Sequence, residues 1–201
     1  TRARKADRWD EMDLGDVFLA RDGLGVKPLY YAELGRGFLF ASEIKALLSC
    51  RELDRELDLE VLNHHLTYLW APAPGTMLKN VRKLPPGHAL VLREGRIVRQ
   101  WRYYDLPYGS SYLDADRQAV AAALEIELEE AVSRQMVADV PVGAFLSGGL
   151  DSSAVVSLMK RVRPDYRPVC YSIGFANDVD MDGNPPDLPY ARRVAEYLDV
   201  D

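Results

Sequence analysis

Val140-Pro141-Val142-Gly143-Ala144-Phe145-Leu146-Ser147-Gly148-Gly149-Leu150-Asp151-Ser152-Ser153 reads as a short apolar strand, a tight loop of small residues and the start of a helix. Val142 to Leu146 are apolar or small and bounded by turn residues, as expected of a strand buried on both faces. Gly148 and Gly149 remove the Cβ atoms that would stop a backbone from wrapping an anion. Asp151, Ser152 and Ser153 are helix-starting residues, and Ala154 to Met159 continue as a helix. Free backbone N–H groups at a helix N-terminus, behind a glycine turn, make a phosphate site. Ser147, Ser152 and Ser153 can add hydroxyl donors, and Asp151 can hold a magnesium ion between phosphate oxygens. A Walker A loop needs a longer spacing and a lysine before the Ser/Thr, so a different phosphate is being held here.

Around this stretch the composition is ordinary for a folded protein. The 201 residues are 48% apolar, enough for a sizeable core in one large domain or two small ones. A net charge of -6 argues against a general nucleic-acid binder. No apolar run approaches the roughly 20 residues that cross a bilayer. The basic stretch Thr1 to Asp10 has no apolar core behind it and is no signal peptide. Cys50 and Cys170 lie far apart without metal-type spacing, which fits buried or half-buried thiols in a reducing compartment, the cytoplasm. The chain starts without a methionine and stops directly after a helix. An α/β unit of only two strands leaves an edge unpaired, so the expectation is a piece of a longer protein.

Upstream, Val17–Ala20, Leu29–Ala32 and Phe38–Ala41 are short strands, the last two joined as a hairpin at Leu34-Gly35-Arg36-Gly37. Between the first two, Arg21 and Asp22 fix a turn by an ion pair and are assigned no catalysis. Ser42 is expected to cap a short helix from Glu43 to Leu48, and Asp58 to cap a helix with the apolar stripe Leu59, Leu62, Leu66 and Leu69. His64 and His65 are adjacent and point apart, so they read as packing residues rather than as a metal pair. His88–Leu92 and Arg96–Trp101 form a hairpin around Arg93-Glu94-Gly95. Turn-forming residues near Tyr103–Ser111 mark a domain boundary, giving domains 1–110 and 111–201. Beyond it, Val120, Leu124, Leu128, Ala131 and Val132 share a helical face. Glu125, Glu127, Glu129 and Glu130 read as a solvated one. Val169–Phe175 is the second strand of a right-handed parallel βαβ unit. Asp178, Asp180 and Asp182 lack the Glu that would complete a calcium loop, and Pro189 opens the last helix.

Ser147-Gly148-Gly149-Leu150-Asp151-Ser152 resembles the S-G-G-x-D-S loop of the ATP pyrophosphatases. The whole string is similar to glutamine-hydrolysing asparagine synthetase of the B type. The similarity runs through Arg21–Tyr31, Ala41–Leu47, Lys83–His88, Asp139–Gly143, the loop itself and Asp187–Arg192. The resemblance implies an α+β N-terminal-nucleophile-type glutaminase remainder. This is followed by the start of an α/β parallel-sheet ATP-pyrophosphatase domain of the adenine nucleotide alpha hydrolase kind. It also implies the chemistry: ammonia released from glutamine, ATP and Mg2+ turning aspartate into β-aspartyl-AMP, and amidation to asparagine with AMP and pyrophosphate as products. Ser147, Gly148, Gly149, Leu150, Asp151, Ser152 and Ser153 match the family's pyrophosphate loop, with Asp151 as the magnesium ligand. Leu146 and Ile173 fall where adenine is held, largely through backbone groups. Asp187 either faces the nucleotide or caps the last helix. The implied partners are glutamine or ammonia, aspartate and ATP, with no nucleic acid or membrane, and a homodimer of the full-length protein.

Two family features have no match here. Residue 1 is Thr1, so the N-terminal cysteine nucleophile lies outside this chain and no catalytic residue is assigned. An S-x-E-x-S-D-E loop does not occur before Asp201, so the chain alone is expected to be inactive. The other readings are a paralogue acting on another carboxylate (cell-wall, peptide-cyclising or β-lactam-forming) and an inactive nucleotide-binding module.

Overall fold

In the computed structural model, which describes residues 13, 15–35, 37–109, 115–174 and 187–201, the chain divides into two units, Thr1–Ser110 and Ser111–Asp201. The first unit is α+β and antiparallel. It contains β1 (Val17–Ala20), β2 (Tyr30–Leu34), β3 (Gly37–Ala41), α1 (Ile44–Leu47), α2 (Leu59–Tyr68), β4 (Arg82–Lys83), β5 (His88–Arg93) and β6 (Arg96–Arg102). Two three-stranded sheets result, ordered β1-β5-β6 and β3-β2-β4. Side chains alternate across β2. Tyr31 therefore enters a cluster with Leu84, Leu90 and Leu92, while Ala32 enters another with Leu47, Leu53 and Val81. The β2–β3 hairpin pairs Tyr30 with Ala41 and Leu34 with Gly37. The β5–β6 hairpin turns on Glu94 and Gly95, both at positive φ, which is the backbone sense that matches the twist of the flanking strands.

Several expectations need correction in this unit. Ser42 does not cap α1. The N-cap position is Glu43, extended and without a side-chain cap bond, so the serine sits one residue too early. Asp58 does cap α2, accepting from the amides of Glu60 and Val61, yet Leu59, Leu66 and Leu69 of its stripe are exposed. Arg21 and Asp22 form no ion pair with each other; each bonds the backbone instead. The Arg21 guanidinium donates to the carbonyls of Gly25, Lys27 and Leu84, and the Asp22 carboxylate accepts from the amides of Leu24, Val26 and Lys27. A carboxylate gathers loose amides and a guanidinium gathers carbonyls, so the pair completes the turn without touching.

These amides, that of Val26 foremost, hold the Asp22 carboxyl below its ordinary value of 3.8. A depressed folded pKa contributes stability above the unfolded value and loses it as pH falls through the folded one. Unfolding of the first unit, followed by tryptophan fluorescence, is therefore expected to become easier on acidification below about pH 4. Asp22→Asn should flatten that acid limb, and an unchanged slope would count against the role.

The second unit contains α3 (Arg117–Gln135), β7 (Ala144–Phe145), α4 (Leu150–Val162), β8 (Cys170–Tyr171) and α5 (Leu188–Leu198). β7 and β8 run parallel, with Ala144 opposite Cys170 and Phe145 opposite Tyr171. Leu146, Val156, Ala191 and Val200 form its buried cluster. The expected strand buried on both faces is instead covered on one. Leu146 turns toward α4 and α5 and is 2% exposed, whereas Phe145, on the opposite face, is 81% exposed. The acidic run on α3 is not simply solvated either. Arg161 of α4 pairs with both Glu125 and Glu129, one turn apart, and ties the two helices together. The segment of Asp178, Asp180 and Asp182 lies outside the described residues, as does the expected boundary at residues 110 and 111.

Candidate functional site

The loop between β7 and α4 is shaped by two glycines with different tasks. Gly148 has a φ of +80°, and a Cβ there would stand 2.4 Å from the carbonyl carbon of Tyr190 and 2.5 Å from the amide nitrogen of Ala191. Only glycine allows the chain to turn this way while lying against the first turns of α5. Gly149 has an ordinary φ of -72° and is the N-cap of α4; a Cβ there would meet only the Ser147 hydroxyl, at 3.3 Å. The helix starts at Leu150, so Asp151, Ser152 and Ser153 lie in its first turn.

The serine hydroxyls are occupied within the loop. Ser153 Oγ donates to the Gly149 carbonyl at 2.7 Å, and Ser152 Oγ lies 3.3 Å from that carbonyl and 3.0 Å from Ser147 Oγ. Ser147 Oγ also accepts from the Gly149 amide at 3.3 Å. The amides of Leu150, Asp151 and Ser152 have no acceptor among the described residues, as befits the first turn of a helix. Three unpaired N–H groups therefore stand at the positive end of the α4 dipole. Asp151 is exposed at this end and has no ion pair among the described residues. No group of three or more potential metal-binding side chains exists among the described residues, so Asp151 stands as a lone carboxylate. Such a group would suit a divalent ion that takes its other ligands from phosphate and water.

Leu146 and Ile173 differ sharply. The Leu146 side chain is core, its amide donates to the Tyr171 carbonyl at 2.9 Å and its carbonyl accepts from Ser172 Oγ at 2.5 Å. Ile173 is 72% exposed just past β8. Asp187 takes the N-cap position of α5 with its carbonyl accepting from Ala191, but its side chain makes no cap bond. Two contributors carried no signal in the sequence: the approach of Tyr190 to Gly148, and Tyr166, whose hydroxyl bonds both backbone groups of Val142. A glycine pair announces that something comes close without saying what, and an isolated tyrosine announces nothing. Cys170, beside the loop, has its thiol pushed up by burial and then by the Asp201 carboxylate, which makes it a poor nucleophile.

Two family models match the chain. The one described as Glutamine amidotransferase domain covers residues 8–104, and the one described as Asparagine synthase covers residues 123–201. Among similar proteins is a putative asparagine synthetase [glutamine-hydrolyzing] 2 of Methanocaldococcus jannaschii, 35% identical over 92% of this chain and 35% of that protein. Asparagine synthetase [glutamine-hydrolyzing] 3 of Bacillus subtilis is 39% identical over 75% of this chain and 24% of its own length. Amidase chry2 of Gibberella zeae is 30% identical over 96% of this chain and 30% of its own length. The chain thus spans about a third or less of the relatives it matches.

Proposed function

We propose that this chain, in which an amidotransferase match is followed by a synthase match and which is similar to asparagine synthetases over most of its length, is part of a protein of the glutamine-hydrolysing asparagine synthetase type, and that its second unit binds ATP for α,β-cleavage. The observation that carries this reading is the α4 N-terminus, where three amides without acceptors among the described residues lie behind a glycine turn that has no lysine. Fixed donors of this kind steady negative charge as it develops on a leaving pyrophosphate. Ser147 to Ser153 would hold the phosphates, with Leu146 and Ile173 flanking the adenine. Asp151 would hold Mg2+, which supplies charge neutralisation between phosphate oxygens. The acceptor is aspartate, activated as β-aspartyl-AMP because a free carboxylate is a poor electrophile; ammonia from glutamine then displaces AMP. The same reading assigns the N-terminal-nucleophile fold to the first domain and the parallel ATP-pyrophosphatase sheet to the second. It carries a cytoplasmic location and a homodimer; no described helix is long and apolar enough to cross a membrane.

Product analysis with labelled ATP, aspartate and an ammonia source tests this on the intact protein. AMP and pyrophosphate should appear in equal amounts and only with the acceptor present. Aspartate-dependent ADP as the main product would refute the reading. The rival reading is a paralogue that acts on another carboxylate compound. Pyrophosphate release stimulated by such a compound and not by aspartate would select it.

A further inference from the structure

We propose that Tyr166 is a positioning residue for the phosphate loop, its hydroxyl fixing where β7, and through it Ser147 to Gly149, lies against α4. The inference rests on the nucleotide reading above. Tyr166 Oη accepts from the Val142 amide at 2.8 Å and donates to the Val142 carbonyl at 2.8 Å. One side-chain oxygen thereby takes both groups that a neighbouring strand would otherwise pair. The position needs such help. Pro141, just before, has no N–H to offer, and the ladder beyond is short, with Ala144 N–H to the Val169 carbonyl at 3.0 Å and Leu146 N–H to the Tyr171 carbonyl at 2.9 Å. Gly143 lets this segment press close: a Cβ there would stand 2.8 Å from both the Val169 carbonyl oxygen and the Tyr171 ring.

Tyr166 lies in the connection from α4 to β8. Its amide bonds the Arg163 carbonyl, and Arg163 in turn bonds Met159 inside the helix. The α4 helix is therefore tied to the β7 segment at both ends, by the loop at its N-terminus and by Tyr166 at its C-terminus. Without the hydroxyl, the segment can shift along α4, and the displacement reaches Ser147 five residues later. Such a change alters how well the loop fits a nucleotide.

The test is Tyr166→Phe in the intact protein, beside Gly149→Val. With the hydroxyl removed, the KM for ATP and the calorimetric Kd for ATP should each rise about 5- to 20-fold. The kcat for amide formation and glutamine hydrolysis should stay near the parent values, while the thermal midpoint falls by only a few degrees, the cost of leaving the Val142 backbone groups to water. Gly149→Val should weaken ATP binding whether or not the tyrosine matters, because it tests only the loop. Weakened binding in Gly149→Val with parental values in Tyr166→Phe overturns the positioning role alone. Parental ATP binding in both overturns the loop as the nucleotide site, and absence of ATP binding in the parent protein overturns the nucleotide reading itself. A joint fall of kcat, glutaminase turnover and thermal midpoint in Tyr166→Phe makes the residue merely structural, and that too overturns the proposal.

Discussion

Gly148→Ala is expected to destabilise the second unit by about 3 kcal/mol or more, adding the cost of a left-handed backbone for a non-glycine residue to that of overpacking. The two penalties are independent. The φ of +80° strains any L side chain, and the new Cβ would meet backbone atoms of Tyr190 and Ala191 at 2.4–2.5 Å rather than the yielding end of a side chain. Relief requires the first turn of α5 to back away, which loosens Ala191 from its cluster with Leu146, Val156 and Val200. For a domain whose total stability is about 5–15 kcal/mol, that is a large fraction. Hydrogen exchange resolved by segment gives the measurement: α5 amides should lose protection while β5 amides keep theirs. Gly149→Ala is the control, since its φ is ordinary and its only close neighbour is a rotatable hydroxyl. Equal protection in Gly148→Ala and the parent would defeat the argument.

In the intact protein, Asp151→Asn should lower the proposed ATP-dependent amide formation on the order of a hundredfold, the scale seen when a metal site or a charge-stabilising group is disturbed. The carboxylate is exposed and lies at the end of α4 whose amides and dipole attract anions. A negative side chain there would oppose a bound phosphate unless a cation stood between them. Asparagine keeps the shape and removes the charge, so the folded state should be little affected. The loss should be partly recovered by raising Mg2+, because a weakened site can still be filled by mass action. Glutamine hydrolysis should continue. Parental synthesis rates in Asp151→Asn, or an equal fall in both activities with the fold intact by circular dichroism, would remove Asp151 from the proposed role.

Much of the architecture was legible because it is local. The two hairpins, the Asp58 cap and the strand–loop–helix around Gly148 follow from turn residues and short-range hydrogen bonds. What escaped is tertiary. Periodicity identified the α2 stripe but not whether anything covers it, and Leu59, Leu66 and Leu69 are exposed. Glu125 and Glu129 look like any solvated acidic face until Arg161, on another helix, is seen between them. At the site itself, residue types indicated a phosphate loop, whereas the internal bonding of Ser147, Ser152 and Ser153 depends on geometry that no spacing encodes. A ligand would have to compete for those hydroxyls, so the free amides are the readier donors.

The alternation along β2 has a consequence for how the first unit finds its pairing. A slip of one residue would carry the Tyr31 ring toward the space now filled by the Ala32 methyl, and the methyl toward the space of the ring. One cluster would be overfilled in the same step that left a hole in the other. The strand thus works as a parity check: odd misalignments are rejected twice over, and a slip of two would take Leu34 and Gly37 beyond the ends of their present pairing.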